Sequence, residues 1–251
     1  MSCGFISTGL QSVSGGGVLQ IVATPIGNLE DITFRAIDSL KKSDLILCEN
    51  PNNSKKLLSH YGIQCKTAPL FSSTREEGFD WILEALKKGN TLSYISDAGT
   101  PGVSDPGSRL VRIVRENGYR IIPIPGPSAL STILSVCGAQ TNPTVFLGFL
   151  SEKKGKKQKE LEEFQREDTL LVFYESVYKI KDTLVMARSV FPEAEILIGR
   201  ELTKTFEELI VWKDNSTPIP SFKEKGEFVV LINTHFKKMA KANSVRSDIF
   251  D

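Results

Sequence analysis

Histidine is almost absent: His60 and His235 are the two in 251 residues. A metal site built on imidazole and a Ser-His-Asp triad therefore have little raw material. His60, within LLSHYGI, reads as a helix-end residue, and His235 lies beside the tail. Cysteine is also sparse. Cys3, Cys48, Cys65 and Cys137 are scattered with no CxxC pair, so no zinc site and no disulfide framework is expected, and a reduced cytoplasmic compartment fits. No apolar run approaches the ~20 residues of a membrane helix. Neither GxxxxGKS nor GxGxxG occurs, which removes support from kinase and nicotinamide-enzyme readings. Excess charge of either sign is missing as well: 31 Lys and Arg against 30 Asp and Glu leave +1, so any nucleic-acid contact must rest on a local patch.

What is present is an ordinary globular composition, 40% hydrophobic and 24% charged, in a length that favours two domains. Residues 1–17, rich in Ser and Gly, read as a flexible leader without the features of a signal peptide. From there β and α patterns alternate. Strands are predicted at 18–23, 45–48, 91–95 and 119–123, and helices at 32–42, 53–61, 78–88 and 108–117. This alternation argues for a mostly parallel sheet with helices on both faces. A second unit follows, with helices at 128–137, 156–165 and 179–190, strands at 144–149, 169–174, 195–200 and 227–233, and a strand or helix at 206–212. The expected domains are 18–126 and 127–236, both α/β with mostly parallel or mixed sheets, joined by a short Pro-rich connection with a cleft between them. A mobile tail is expected at 237–251.

Three turn-rich segments each follow a predicted strand: TPIGNLED at 24–31, SDAGTPGVSDPG at 96–107 and PIPGPSA at 123–129. In open α/β sheets ligands sit at the carboxyl ends of strands, where small residues let backbone approach closely. The middle segment is longer than a plain connection needs, which marks it as a ligand loop.

These segments, with FLGFL at 146–150, FYES at 173–176, RELTK at 200–204 and KGEFV at 225–229, occur in one order across 18–234. In this the chain resembles the tetrapyrrole methylase superfamily of class III methyltransferases, and within it the bacterial enzymes that methylate a cytidine ribose 2′-oxygen in small-subunit rRNA. The resemblance implies a homodimer that binds S-adenosylmethionine between its domains and acts on rRNA or the small ribosomal subunit, without a metal or a membrane. By position in the motifs it implies cofactor contacts at Pro25, Asp97, Ala98, Gly99, Thr100, Val103, Ser104, Ser128, Ala129, Leu147, Gly226, Glu227 and Phe228.

A ribose hydroxyl is a poor nucleophile, so a base or a cation favouring the alkoxide is expected beside it. Glu49, Glu175, Glu201 and Lys204 are the catalytic candidates, with Glu49 or Glu175 taking the proton and Lys204 or Arg200 orienting RNA or a carboxylate. Lys153, Lys154, Lys156 and Lys157, with Lys159, form the densest basic cluster, read either as phosphate contacts or as a solvated helix start beside Glu160, Glu162 and Glu163. Tyr178 is a candidate to stack a base. The chain departs from the rRNA group at 49–54, ENPNNS where most members read EDTRHT, at FSSTREE in 71–77 and at FYESVYKI in 173–180. Two further readings stay open. One is a superfamily enzyme acting on a tetrapyrrole or other small molecule, although TPIGNLED lacks the GxGPGD-type loop that such an enzyme should show. The other is a cofactor-binding, ribosome-associated protein without efficient catalysis.

Overall fold

The computed structural model describes residues 16–71, 76–103, 105, 107–140, 143–165 and 168–234. Most of the leader, the tail, Ser104 and most of FSSTREE lie outside them. The chain forms two compact units, one ending at Ser128 and one beginning at Ala129.

The first unit holds β1 (Val18–Val22), α1 (Phe34–Lys41), β2 (Leu45–Cys48), α2 (Pro51–His60), β3 (Thr67–Pro69), α3 (Asp80–Lys87), β4 (Thr91–Ile95), α4 (Gly107–Glu116) and β5 (Arg120–Ile124). Its five-stranded sheet has the order β3-β2-β4-β1-β5 with every pairing parallel. Period-two alternation sends side chains to two cores. Val22, Ile46, Cys48, Ile95 and Ile124 pack with α1 and α2, whereas Leu19, Leu47, Leu92 and Tyr94 pack with α3 and α4. The sheet is thus covered on both faces, as a parallel sheet requires. β3 escapes sequence reading because it is three residues long, half-exposed, contains Pro69 and, among the described residues, pairs only with β2.

Local signals explain where the helices begin. Thr33 caps α1 by accepting a hydrogen bond from the Ala36 amide, and Asn50 caps α2 by accepting from Asn52, with Pro51 at the first helical position where its missing N–H costs nothing.

The second unit holds α5 (Ala129–Ser135), β6 (Thr144–Phe149), α6 (Lys154–Glu162), β7 (Leu170–Glu175), α7 (Ile180–Val190), β8 (Glu195–Arg200), β9 (Glu208–Trp212) and β10 (Phe228–Asn233). Its order is β6-β7-β10-β8-β9, parallel between β6 and β7 and antiparallel elsewhere. The ambiguous segment at 206–212 is resolved as edge strand β9, with Ile210 and Trp212 turned to the core and Leu209 and Val211 to solvent. The central strand β10 is buried along its whole length. Leu171, Phe173, Ile196, Ile198, Val230 and Ile232 pack on one face with Leu161 of α6 and Ile180, Leu184 and Ala187 of α7. Among the described residues no helix is long and apolar enough to cross a membrane.

Candidate active site

In the first sheet β1 connects past β4 to β2 through α1 on one face, and β4 connects past β1 to β5 through α4 on the other, so the loops leaving these adjacent strands turn to opposite faces of the sheet. Such a switch point opens a crevice at the carboxyl ends of the strands. The loops that follow these two strands are fastened together. The Thr24 amide donates to the Gly99 carbonyl at 2.9 Å and the Gly99 amide to the Thr24 carbonyl at 3.1 Å. The Thr24 hydroxyl adds a bond to the Ser96 carbonyl at 3.3 Å, and Thr100 Oγ1 donates to the Pro127 carbonyl at 3.0 Å, tying in the loop after β5. Gly99 has φ +79°, and a Cβ there would come within 3.3 Å of Ile26 Cγ2, so glycine suits both the backbone and the space.

Asp97 and Ala98 are exposed at the tip of this arrangement, with Thr100 and Val103 half-buried and Pro25 and Gly99 buried. Asp105 closes the far side: its carboxylate accepts from the Gly102 amide at 2.7 and 2.8 Å and from the Gly107 amide at 2.7 Å. Gly107 in turn leaves room for Tyr94, whose Cε1 would lie 2.6 Å from a Cβ at that position. The Tyr94 side chain is fully buried and its hydroxyl has no hydrogen-bond partner among the described residues.

Glu49, immediately after β2, reaches this loop and accepts a hydrogen bond from the Asp97 amide at 3.0 Å. Burial, opposed by that hydrogen bond and reinforced by the charges of Asp105 and Asp97, holds its carboxyl above the usual carboxylate range. The Asp97 carboxylate accepts from Asn53 Nδ2 at 2.9 Å. The substituted segment ENPNNS therefore supplies a helix cap, a proline start and a side chain that orients Asp97. Asn53, Asp105, Tyr94 and Thr24 were missed by sequence reasoning. Asp105 had a signal, since SDPG repeats the pattern of SDAG in the same loop, but the others depend on contacts between distant segments.

Apart from Ser128, at the end of the first unit, the remaining candidates lie in the second unit, and three are corrected. Glu175 is 6% exposed and accepts from Lys157 Nζ at 2.5 Å, from Thr183 Oγ1 at 2.6 Å and from the Ser176 amide at 2.8 Å. Burial would raise its pKa, but the bonds from Lys157, Thr183 and Ser176 prevail and hold it below the ordinary range. A carboxylate with its oxygens so occupied is not a proton acceptor for substrate. Lys157 belongs to the same buried group at 5% exposure, so it is no phosphate contact. Arg200, 3% exposed, spends its guanidinium on Glu208, the Lys225 carbonyl and the Phe206 carbonyl, and so holds β8, β9 and the segment before β10 together rather than orienting RNA.

Glu201, Lys204, Gly226 and Glu227 do come together. Lys204 Nζ lies 2.8 Å from Glu201 Oε1 and 3.0 Å from Glu227 Oε2, while the Glu227 amide donates to Glu201 Oε1 at 2.9 Å. Burial would raise Glu201, yet its bonds from Lys204 and the Glu227 amide carry it below the usual range, which makes it a weak base. The loop is strained, with φ +50° at Glu201 and +66° at Thr203. Phe228 is buried against Phe222 at the start of β10, in register with Glu175 and Arg200. Leu147 packs against the core, Ser128 and Ala129 are half-buried, and Tyr178, Lys153, Lys154 and Lys156 are exposed.

A family model described as tetrapyrrole (corrin/porphyrin) methylases matches residues 18–215. Ribosomal RNA small subunit methyltransferase I of Leptospira biflexa is 50% identical over 238 residues, covering 93% of this chain and 97% of the relative. The protein of the same name from Haemophilus influenzae is 44% identical over 226 residues, covering 86% of this chain and 78% of the relative. Among solved structures, the methyltransferase CobJ superposes with a TM-score of 0.64 at 19% identity, over 87% of this chain and 94% of that one, a likeness of fold alone.

Proposed function

This chain belongs to the tetrapyrrole methylase family, and from that membership we propose that it methylates a cytidine ribose 2′-oxygen in small-subunit ribosomal RNA. S-adenosylmethionine, the family's methyl donor, supplies an electrophilic methyl group on a positively charged sulfur. The site fits such a donor. Its sulfonium and α-amino group are both cationic, and the described loops offer the Asp97 carboxylate together with backbone at Pro25, Ala98, Gly99, Thr100 and Val103.

One observation carries the mechanism: Glu49 meets the Asp97 amide at the end of β4 while burial and neighbouring charge raise its pKa. A raised carboxylate is a better base near neutral pH, the property required to take a proton from a weakly acidic hydroxyl. In this reading Glu49 would accept the ribose 2′-hydroxyl proton as that oxygen takes the methyl group, with the methyl–sulfur bond breaking and the donor leaving as its neutral thioether. Asn53 keeps the Asp97 carboxylate turned to the loop, and the Thr24–Gly99 bridge keeps the loop in register for an in-line displacement, where positioning supplies most of the acceleration. A homodimer in a reduced cytoplasm completes the proposal, in keeping with free thiols at Cys48, Cys65 and Cys137.

The test is transfer from radiolabelled S-adenosylmethionine to small subunits lacking ribose methylation, to deproteinised rRNA and to a tetrapyrrole. Label on a ribose of the rRNA is expected. Label on the tetrapyrrole alone, or cofactor binding with no transfer, overturns the reading.

A further inference from the structure

β6 and β7 are parallel neighbours, so the ends that carry Phe149 and Glu175 lie at the same margin of the second sheet, and β6 is its edge strand. Along β6, Val145 and Leu147 pack on the core, and regular alternation would send Phe149 after them. It does not go. The register shifts between Phe146 and Phe149, Gly148 adopts φ +63°, and Phe149 turns to the opposite face. There it meets Tyr174 edge-on, with ring centroids 5.5 Å apart, and Tyr174 is backed by Phe146 at 5.0 Å. Phe149 is nevertheless 62% exposed, and Tyr178, three residues beyond β7, is 92% exposed. Burying such a ring would stabilise the fold, so a bulge that withholds Phe149 from the core has no rationale in stability.

The charge beside them is also placed against stability. α6 begins with lysines and has no acidic residue in its first turn, although the helix dipole disfavours cations there. Lys153 and Lys154 make no ion pair among the described residues, and Lys156 reaches Glu160 only at 3.9 Å. The Lys179–Glu152 pair, at 2.8 Å, ties the segment after β7 to the segment that carries these lysines. Flat aromatic faces flanked by Lys153, Lys154 and the loosely paired Lys156 match unpaired bases and the phosphates between them.

We infer that the carboxyl ends of β6 and β7 form a platform for single-stranded RNA, where bases stack on Phe149 and Tyr178 and phosphates meet Lys153, Lys154 and Lys156. The inference rests on the RNA reading above and adds where, and in what form, the nucleic acid is held. The Tyr174 contact keeps the Phe149 ring oriented before RNA arrives, so less freedom is lost on stacking.

The test is fluorescence anisotropy of the full chain with a labelled, unstructured RNA oligonucleotide, alone and annealed to its complement. The single strand is expected to bind more tightly than the duplex. F149A and Y178A should each weaken it by roughly ten-fold, with F149W and Y178F near wild type. Replacing the three lysines with glutamine should flatten the dependence of log affinity on log salt by ~0.7 for each phosphate no longer neutralised. Unchanged melting and S-adenosylmethionine binding show that these surface variants are folded. No binding of the oligonucleotide by wild type, equal binding of strand and duplex, or alanine variants that bind like wild type would each overturn the platform. Methyl transfer to rRNA by wild type is scored separately: if it proceeds while the platform fails, the functional reading stands, and if it is absent while F149A and Y178A still lose RNA, the platform stands alone.

Discussion

Glu49 and Glu175 both follow or end buried strands, yet their surroundings drive them in opposite directions. Glu49 has one amide donor and two carboxylate neighbours, so burial prevails and its pKa rises. Glu175 has a lysine, a threonine and an amide, so it stays ionised in the core. For Glu49 the basic form is the active one, and the rate should climb as pH rises through its elevated pKa. In Glu49→Gln that limb should vanish and kcat should fall by ~10²- to 10⁴-fold with S-adenosylmethionine affinity retained, as a pH–rate profile would record. Glu175 makes a prediction about stability. Its folded pKa lies below the unfolded value of about 4.3, so the stability it confers is present above that value and lost as pH falls through the lowered folded one. Glu175→Gln strands the Lys157 charge in the interior and should cost about 3–5 kcal/mol by urea denaturation, whereas the Lys157→Met, Glu175→Leu double variant should lose less than either single change. This is also where sequence reading ran out. KKGKKQK displays five lysines that read alike, and only a packed helix shows that the fourth turns inward.

The strands legible in the sequence are β1, β2, β4, β7, β8 and β10 together with the edge strands β5 and β6, because each carries a short apolar run bounded by turn residues. The other two edge strands were harder. β9 alternates at half-burial, and β3 is too short to carry a period. The loops after β1 and β4 stand out in the sequence by their Gly and Pro content, but their fastening through Thr24 and Gly99 joins residues far apart in sequence and leaves no local signature. The segment between β9 and β10 makes its own prediction. Gly226 has φ +105°, and a Cβ there would lie 2.5 Å from the Glu201 side chain, which Lys204 and the Glu227 amide hold in place. Gly226→Ala should therefore destabilise by ~1–3 kcal/mol, read from the urea midpoint.

Each unit of the molecule has its own sheet and its own core, and protection from exchange should follow burial rather than sequence order. Hydrogen exchange followed by mass spectrometry should find β10, β1 and β4 slowest, with edge strands β3 and β9 among the first to exchange; fast exchange in β10 would contradict its central place. Saturation with S-adenosylmethionine should add about 2.7 kcal/mol to stability at a hundredfold excess over its Kd, with the added protection concentrated in the loops after β1 and β4. The strand order also sets a timetable for synthesis. β1 leaves the ribosome before the other strands of its sheet, yet both of its partners come late: Val18 pairs with Thr91 on one side and Arg120 on the other. At ~5–20 residues per second, an apolar strand waits several seconds or longer with both edges unpaired. A nascent chain of this fold thus passes through a sticky interval that ends only when β5 emerges, and its yield in the cell should depend on what shields Val18–Val22 until then.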